Sequence, residues 1–486
     1  MNRRTTSGAH PVRRAAVVGL CAAWAIMVPL GVAQASASAS DAAVTIPAAA
    51  QPASSIAVAS KAGVVATAAS PHGPYNSMRT DACAGCHRAH TAKSVDLLPQ
   101  ASPQSTLCFT CHDGTGASSD VESQYTDPAV TANDPSDPTV TGYTASFYRQ
   151  DATVTTSHVL GSNDEFGGVS NRHVECSDCH DPHQASAVDS TVPSAGIAWP
   201  LSGRLTGVSG VAVTNGAAGS TPTYTFLDGK TAAPVQFEYQ LCFKCHSGYT
   251  TLMSNSGVRP SWQMLDAGVE FNPANASFHP VEGPGTNTTQ KMKDSLAGSW
   301  TGKLWTFSVD GAGGVPSTVR CTNCHAGSKA PTAGGPGDDL SPHTSAYRGL
   351  LIRNYRDRDL MGSSESYSDT NFALCYTCHN PAPFRTETST ATNFRYHGKH
   401  LTGIGGSGSP GTSIDVLGAG QGNAICAECH FTLHSTATEA SPYTRLVNFG
   451  PNVKPYNGVL TWTSTGEGHG TCTLVCHGKS HDNESY

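Results

Sequence analysis

A short cysteine and histidine motif recurs along the whole chain and constrains its fold more than any other feature. Cys83-Ala-Gly-Cys86-His87 is the first occurrence, and six further copies keep two residues between their cysteines. These copies begin at Cys108, Cys176, Cys242, Cys321, Cys375 and Cys426. An eighth copy, from Cys472 to His477, has three residues between its cysteines. The eight motifs together use sixteen of the seventeen cysteines of the chain.

Cys-x-x-Cys-His is the attachment signature of c-type haem. Two cysteines three positions apart lie on one side of a helical turn, where both thiols reach the haem vinyl groups, and the adjacent histidine binds the iron. A zinc site, a redox dithiol or a disulfide framework does not require that histidine. We therefore predict eight covalently bound haem c groups. For the longer Cys472 motif, a disulfide with a bystander histidine is the alternative.

The motifs assign both the thioether residues and the proximal iron ligands. The predicted thioether residues are Cys83, Cys86, Cys108, Cys111, Cys176, Cys179, Cys242, Cys245, Cys321, Cys324, Cys375, Cys378, Cys426, Cys429, Cys472 and Cys476. The predicted proximal ligands are His87, His112, His180, His246, His325, His379, His430 and His477.

The composition changes twice before the first motif. Residues 1–35 combine early arginines, an apolar run and an Ala-Gln-Ala sequence, as a secretory signal does. An uncleaved membrane anchor is the alternative, because the apolar run is long. Residues 36–70 are rich in Ala and Ser and predict a low-complexity linker. We expect residues 71–486 to form the haem-binding region.

The remaining chain has too few hydrophobic side chains to form an ordinary hydrophobic core. Only 38% of the residues are hydrophobic, whereas glycine numbers 50 and proline 30. Covalently fixed porphyrins replace that core, so we predict a mostly irregular, haem-cored fold with a short helical turn at each motif and little β structure. Alternating residues in 207–213 and 223–227 predict a small β-hairpin near 205–238, inserted at the surface.

The motifs fall into pairs along the chain, and the chain resembles the doubled-CXXCH, cytochrome c3-like multihaem family. The resemblance is carried by Cys83–His90 with Leu107–His112, by Cys176–His183, and by the ending Gly470–His481, which is similar to that of secreted multihaem cytochromes from metal-respiring bacteria. It extends over nearly all of residues 71–486. The predicted haem pairs lie at about 71–150, 151–300, 301–395 and 396–486.

Twelve histidines remain for the sixth coordination position once the proximal ligands and His10 are set aside. The resemblance marks His90, His183 and His343 as ligands, and sequence context adds five others. The predicted distal set is His72, His90, His158, His183, His279, His343, His400 and His434. His397 is the alternative to His400 for the last pair, and His173, His469 and His481 are reserves. A histidine three or four residues after a proximal one is expected to bind a neighbouring iron.

Iron with two histidine ligands has no open position for a substrate, so the ligand count predicts an electron-transfer protein. The formal charge of −7, to which haem propionates add, argues against nucleic acid or anionic membrane as a partner. We expect a secreted or cell-surface protein that takes part in extracellular or metal respiration. Its expected partners are redox proteins, metal ions or minerals, and one form of this prediction is a protein that polymerises into a filament. The alternative is a multihaem oxidoreductase of the nitrite, hydroxylamine or tetrathionate type with one open haem.

Overall fold

In the computed structural model, the chain divides into two units, residues 1–63 and 64–486. The structure describes residues 72, 80–126, 158, 160, 174–250, 266–327, 341–355, 367–402, 424–436 and 445–486, apart from residues 95, 101–102, 118, 346, 387, 451–452, 467 and 477. The predicted signal and linker lie outside these residues, as does His477. No helix in the described part of the chain is long and apolar enough to cross a membrane.

The helices of the second unit are short, and most are only one or two turns long. The α-helices span Thr80–Cys86, Gln104–Cys108, Glu122–Thr126, Cys176–Cys179, Glu238–His246, Ala267–Glu270, Gln290–Leu296, Ala373–Tyr376, His397–Thr402 and Cys426–Cys429. Single 3₁₀ turns lie at Gly203–Leu205, Ala312–Gly314, Cys321–Asn323, Arg348–Leu350, Asp369–Phe372 and Ala382–Phe384. Irregular segments connect these elements.

The strands form three small antiparallel sheets. β1 (Gly210–Thr214) pairs with β2 (Thr223–Leu227), and β3 (Ser277–Phe278) pairs with β4 (Ser435–Thr436). The third sheet has the order β5 (Thr461–Gly466), β6 (His469–Cys476) and β7 (Lys479–Ser485). The β3–β4 pair joins segments more than 150 residues apart and brings His279 beside His434.

The hairpin β1–β2 lies in the segment where the sequence predicted one, but β1 is not a surface strand. Val211 is fully buried, and β1 packs against helix Glu238–His246, which carries the fourth motif. Gly210 makes this approach possible, because a Cβ atom there would meet the Val235 side chain and the backbone of Gln240. The predicted surface insertion therefore instead supports a motif helix.

The eighth motif differs from the other seven, and the expected helical turn is wrong there. The first seven motifs begin on, or at the end of, a helical turn, whereas Cys472 and Cys476 lie on strand β6. Thr471, Thr473 and Val475 are β-branched residues, which favour a strand, and β6 is hydrogen-bonded on both sides. At about 3.3 Å per residue, the strand holds its two cysteines much farther apart than a helical turn does.

The buried hydrophobic side chains collect next to the motifs. The larger cluster contains Trp305, Ile352, Phe372 and Ile425, and Cys375, Cys378 and Cys426 pack against its edge. A smaller cluster of Phe243, Ala267, Phe271 and Val281 packs against Cys321. The cysteines of the fifth, sixth and seventh motifs therefore lie at the border of the apolar clusters, where an attached apolar group would extend them.

Candidate haem-ligand sites

Four pairs of neighbouring histidines repeat through the structure, and we call them the histidine doublets. They are His72 with His183, His158 with His343, His279 with His434, and His397 with His400. In each doublet, Nδ1 of one histidine donates a hydrogen bond to the carbonyl of the residue that precedes the other. The four bonds run from His72 to Pro182 (3.3 Å), His158 to Pro342 (2.7 Å), His279 to Leu433 (2.6 Å) and His400 to Tyr396 (2.9 Å).

The second histidine of each doublet has a side-chain group near its Nδ1 atom instead of a carbonyl. The nearest atoms are Asp181 Oδ1 at 3.6 Å from His183, Gln124 Oε1 at 3.1 Å from His343, Glu270 Oε2 at 2.8 Å from His434 and Thr392 Oγ1 at 2.9 Å from His397. For His343, His434 and His397 this contact is a hydrogen bond, which fixes the tautomer so that Nε2 is the atom able to bind a metal, whereas Asp181 lies beyond hydrogen-bond distance of His183.

The doublets face the histidines of the motifs across gaps of nearly constant width. The distances between ring centroids are 6.1 Å for His87 and His183, 6.1 Å for His72 and His112, 6.1 Å for His180 and His343, 6.3 Å for His158 and His246, and 6.2 Å for His325 and His434. Each of these imidazole pairs joins one motif histidine to one doublet histidine. In every case the two come from separate parts of the sequence.

This gap fits one iron atom. Two metal–nitrogen bonds of about 2.0 Å, together with the half-ring beyond each nitrogen, span about 6.2 Å. Several motif histidines are also held at Nδ1, as His87 is by the carbonyl of Asp96 at 2.8 Å and His325 by that of Gly349 at 2.7 Å. The residues present therefore fit haem iron bound by two imidazoles through Nε2.

Electrostatic interactions connect two further motif histidines, His379 and His430, with doublet histidines. Burial, followed by the proximity of His279 and His430, lowers the pKa of His379 to about 4. Burial, followed by His430 and then His400, lowers the pKa of His397 to about 3. His279 thus lies near the histidines of both the sixth and the seventh motif, and His397 lies near that of the seventh.

Burial keeps the imidazoles in the form that binds a metal. The pKa of His343 falls to about 4, because burial and then the nearby His180 and His158 disfavour its charged form. Burial likewise lowers the pKa of His158 and His430. At neutral pH these rings are uncharged and their Nε2 lone pairs are available, since a protonated imidazole cannot be a ligand.

The last doublet histidine, His400, faces His481 and not a described motif histidine. Their ring centroids are 6.4 Å apart. His481 lies on β7, four residues after His477, and His477 is outside the described residues. The separation matches the other imidazole pairs.

Cysteines of consecutive motifs lie close to one another in space. The thiols of Cys108 and Cys176 interact directly, which lowers the pKa of Cys108 and raises that of Cys176. The same contact joins the first cysteines of the fourth and fifth motifs and of the sixth and seventh. These contacts are Cys242 with Cys321 and Cys375 with Cys426.

The second cysteine of a motif lies near the next motif wherever the first cysteines of the two motifs are not in contact. Burial raises the pKa of Cys179 to about 12, and the thiols of Cys242 and Cys245 are among its neighbours. The thiols of Cys378 and Cys375 are likewise the charged neighbours of Cys324. Cys86 lies near Cys108, and Cys429 near Cys472. Each motif therefore neighbours the next one, in the order of the sequence.

These thiol contacts give a prediction for protein produced without haem attachment. In oxidising conditions we expect disulfides to form between motifs, at Cys108–Cys176, Cys242–Cys321 and Cys375–Cys426, because these thiols face each other. Peptide mapping under non-reducing conditions measures the cross-links. Disulfides formed only within motifs, such as Cys375–Cys378, would contradict the arrangement, and haem-loaded protein is the control, since its cysteines are blocked.

Only some of the predicted distal histidines lie close to a motif histidine. His72, His158, His183, His343 and His434 lie in imidazole pairs with motif histidines, His279 lies by His379, and His400 lies opposite His481. His90 is exposed and belongs to none of these pairs. His173 lies outside the described residues, and His469 is on β6.

From the sequence, His397 was predicted only as an alternative to His400. His481 was only a reserve candidate for a distal ligand, and Glu270 was not predicted at all. The spacing of four residues, shared by His430–His434 and His477–His481, was the available signal for His481. No local pattern indicates Glu270, which reaches His434 across 164 residues of sequence.

Comparison with known proteins supports haem binding at the first pair of motifs. Residues 72–117 match the family described as doubled CXXCH motif, which fits a multihaem c-type cytochrome. The matched segment contains His72 and both motifs of the first pair, which end at His87 and His112. The CXXCH motifs indicate covalently bound haem c and electron transfer. No curated protein and no solved structure shows significant similarity to the chain.

Proposed function

We propose that the protein carries electrons outside the cytoplasm through eight haem c groups, each bound by two histidines, arranged in the order of their motifs. The observation that carries this proposal is the set of five imidazole pairs, each of one motif histidine and one doublet histidine, with centroids 6.1–6.3 Å apart. Each of these pairs would supply both axial imidazoles of one iron, which leaves that iron no position for a substrate. Haem c supplies a one-electron couple when it is bound.

The chain contributes the order and the closeness of the centres. Consecutive motifs neighbour one another through their cysteines, and three of the four histidine doublets each serve two consecutive motifs: the first and second, the third and fourth, or the fifth and sixth. Because one histidine of each doublet donates a hydrogen bond to the carbonyl of the residue before the other, the two centres they serve are held close together. Electron transfer along such a series requires no movement of the protein.

We propose that partners exchange electrons at the first pair of motifs. Cys83, Cys86 and Cys111 are exposed, whereas most cysteines of the later motifs are partly covered. The net charge of −7 favours basic redox proteins, metal ions or mineral surfaces as partners. This fits a secreted or cell-surface protein of extracellular or metal respiration, because haem c is attached after export.

The test is the ferrous absorption spectrum of the purified, haem-loaded protein with and without carbon monoxide. We expect no spectral change on addition of the gas, since two imidazoles occupy every iron. A gas-binding fraction of one equivalent or more per molecule would contradict the proposal. Nitrite and hydroxylamine turnover would then be measured, as the enzyme alternative requires an open iron.

A further inference from the structure

We propose that Gln104 and Glu238 are positioning residues for electron transfer, each of which holds the motif on its own helix against the next motif. They act at two steps that none of the described histidine doublets spans, from the second motif to the third and from the fourth to the fifth. This inference rests on the proposed function, because it assumes that electrons pass from motif to motif.

Gln104 and Glu238 occupy the same place relative to their motifs. Each lies four residues before the first cysteine of an even-numbered motif, Cys108 or Cys242, and is the first residue of the helix that carries that cysteine. The sixth motif has Asn371 at this place, so the second, fourth and sixth motifs share a side chain with a carbonyl or carboxylate oxygen. The first, third, fifth and seventh motifs have Arg79, Arg172, Ser317 and Gly422 there.

Gln104 binds the third motif through both atoms of its amide. Its Oε1 atom accepts a hydrogen bond from the backbone N–H of Ser177 at 2.8 Å, and its Nε2 atom donates to the Ser177 hydroxyl at 3.0 Å. The Gln104 backbone N–H donates to Glu175 Oε2 at 3.2 Å. Because Glu175 and Ser177 flank Cys176, these bonds lie on both sides of the thiol that contacts Cys108.

Glu238 repeats this arrangement at the fifth motif with a carboxylate. Its Oε1 atom accepts hydrogen bonds from the backbone N–H of Thr322 at 3.1 Å and from the Thr322 hydroxyl at 3.0 Å. On the other side of Cys321, the Arg320 Nη1 atom lies 4.0 Å from Glu238 Oε2. Glu238, Arg320 and Thr322 are all buried, and the cation and the hydrogen bonds together offset the cost of burying the carboxylate.

The backbone N–H groups that these side chains bind belong to the first turn of a helix. Ser177 is the second residue of the turn Cys176–Cys179, and Thr322 is the second residue of the turn Cys321–Asn323. An N–H group at this position has no acceptor within its own helix. Each attachment turn therefore receives its acceptor from the preceding motif, which couples the shape of one turn to the position of the other.

This coupling controls the separation of two attachment points that share no described doublet. The first cysteines of the joined motifs are in contact, Cys108 with Cys176 and Cys242 with Cys321. At each step one electron passes from ferrous iron at one centre to ferric iron at the next, and no bond is formed or broken. The rate of that transfer depends on the separation of the centres, which the hydrogen bonds of Gln104 and Glu238 keep short.

The test compares Gln104→Ala, Glu238→Ala and Glu238→Gln in the full, haem-loaded chain. Haem content by intact mass and carbon monoxide binding check that attachment and ligation are unchanged. The measurements are the exciton signal in the Soret circular dichroism, which reports neighbouring haems, and the rate at which electrons redistribute after flash reduction. We expect both alanine variants to lose part of the exciton signal and to redistribute electrons more slowly. Glu238→Gln should retain the signal and the rate, because its amide oxygen still accepts from Thr322, as Gln104 accepts from Ser177.

Gln290→Ala is the matched control. Gln290 is also the first residue of a helix, Gln290–Leu296, but its amide bonds to Asp294 in that same helix, which carries no motif. We expect this variant to match the unaltered protein in both measurements. A change in Gln290→Ala as large as that in Gln104→Ala would overturn the proposal.

The remaining outcomes separate this inference from the proposed function. An unchanged exciton signal and rate in Gln104→Ala overturns the positioning role, and so does haem loss or gas binding in that variant. Equal losses in Glu238→Gln and Glu238→Ala would assign the effect to charge and also overturn it. If Glu238→Ala does not fold, Gln104→Ala decides, because Gln104 is only half-buried. Gas binding by the unaltered protein would instead contradict the proposed function.

Discussion

Replacing His343 with alanine is expected to open one iron per molecule to carbon monoxide. The His343 ring faces that of His180 at 6.1 Å, is partly buried, and is hydrogen-bonded at Nδ1 to Gln124. Its loss leaves the third centre with one imidazole, whereas the other centres keep both ligands. Titration of the ferrous protein with the gas should change from none to one equivalent bound.

Two variants control this experiment. His343→Met retains a sixth ligand, so we expect no gas binding and a higher reduction potential at one centre, because methionine ligation raises the potential of haem iron. His90→Ala removes an exposed histidine that lies outside the described imidazole pairs, and we expect no change. Gas binding by His90→Ala, or none by His343→Ala, would show that the pairs are wrongly assigned.

Replacing Glu270 with glutamine is expected to raise the reduction potential of one centre by about 40–60 mV. Glu270 is buried, and its carboxylate accepts the Nδ1 hydrogen bond of His434 at 2.8 Å. A carboxylate makes the imidazole a stronger electron donor, which stabilises ferric iron. Exchanging a charged acceptor for a neutral one costs about 1 kcal/mol. For one electron, a tenfold change in equilibrium corresponds to about 59 mV.

Another site in the same protein already has the hydrogen bond that the Glu270→Gln variant would create. At the corresponding place by the third motif, Gln124 is the acceptor from His343, so Glu270→Gln gives the fifth centre the same type of hydrogen bond. A spectroelectrochemical titration should therefore show one component moving upward while the others stay in place. Asp310→Asn removes an exposed carboxylate that pairs with Lys293 and serves as the control for net charge. A uniform shift of all components, or equal shifts in both variants, would contradict the role of Glu270.

The sequence by itself determined the chemistry of the centres, because haem attachment depends on residues adjacent in the chain. Cys83, Cys86 and His87 lie within five positions, and the same local pattern identifies every motif without knowledge of the fold. The hairpin near 205–238 was also predictable, since alternation along a strand is a local property. The helical turn expected at Cys472 was not, because pairing with β5 and β7 determines that segment.

Tertiary structure decided which histidine faces which motif. His343 meets His180, and His434 meets His325, across more than 100 residues of sequence, so no spacing rule could connect them. His397 and His400 lie in one helix and were equivalent in the sequence, but the Tyr396 carbonyl holds His400 toward β7 while His397 lies by His430. Glu270 acquires its contact with His434 for the same reason. Burial and hydrogen bonds between distant segments, which the linear pattern does not contain, decide which of the surplus histidines face the motif histidines.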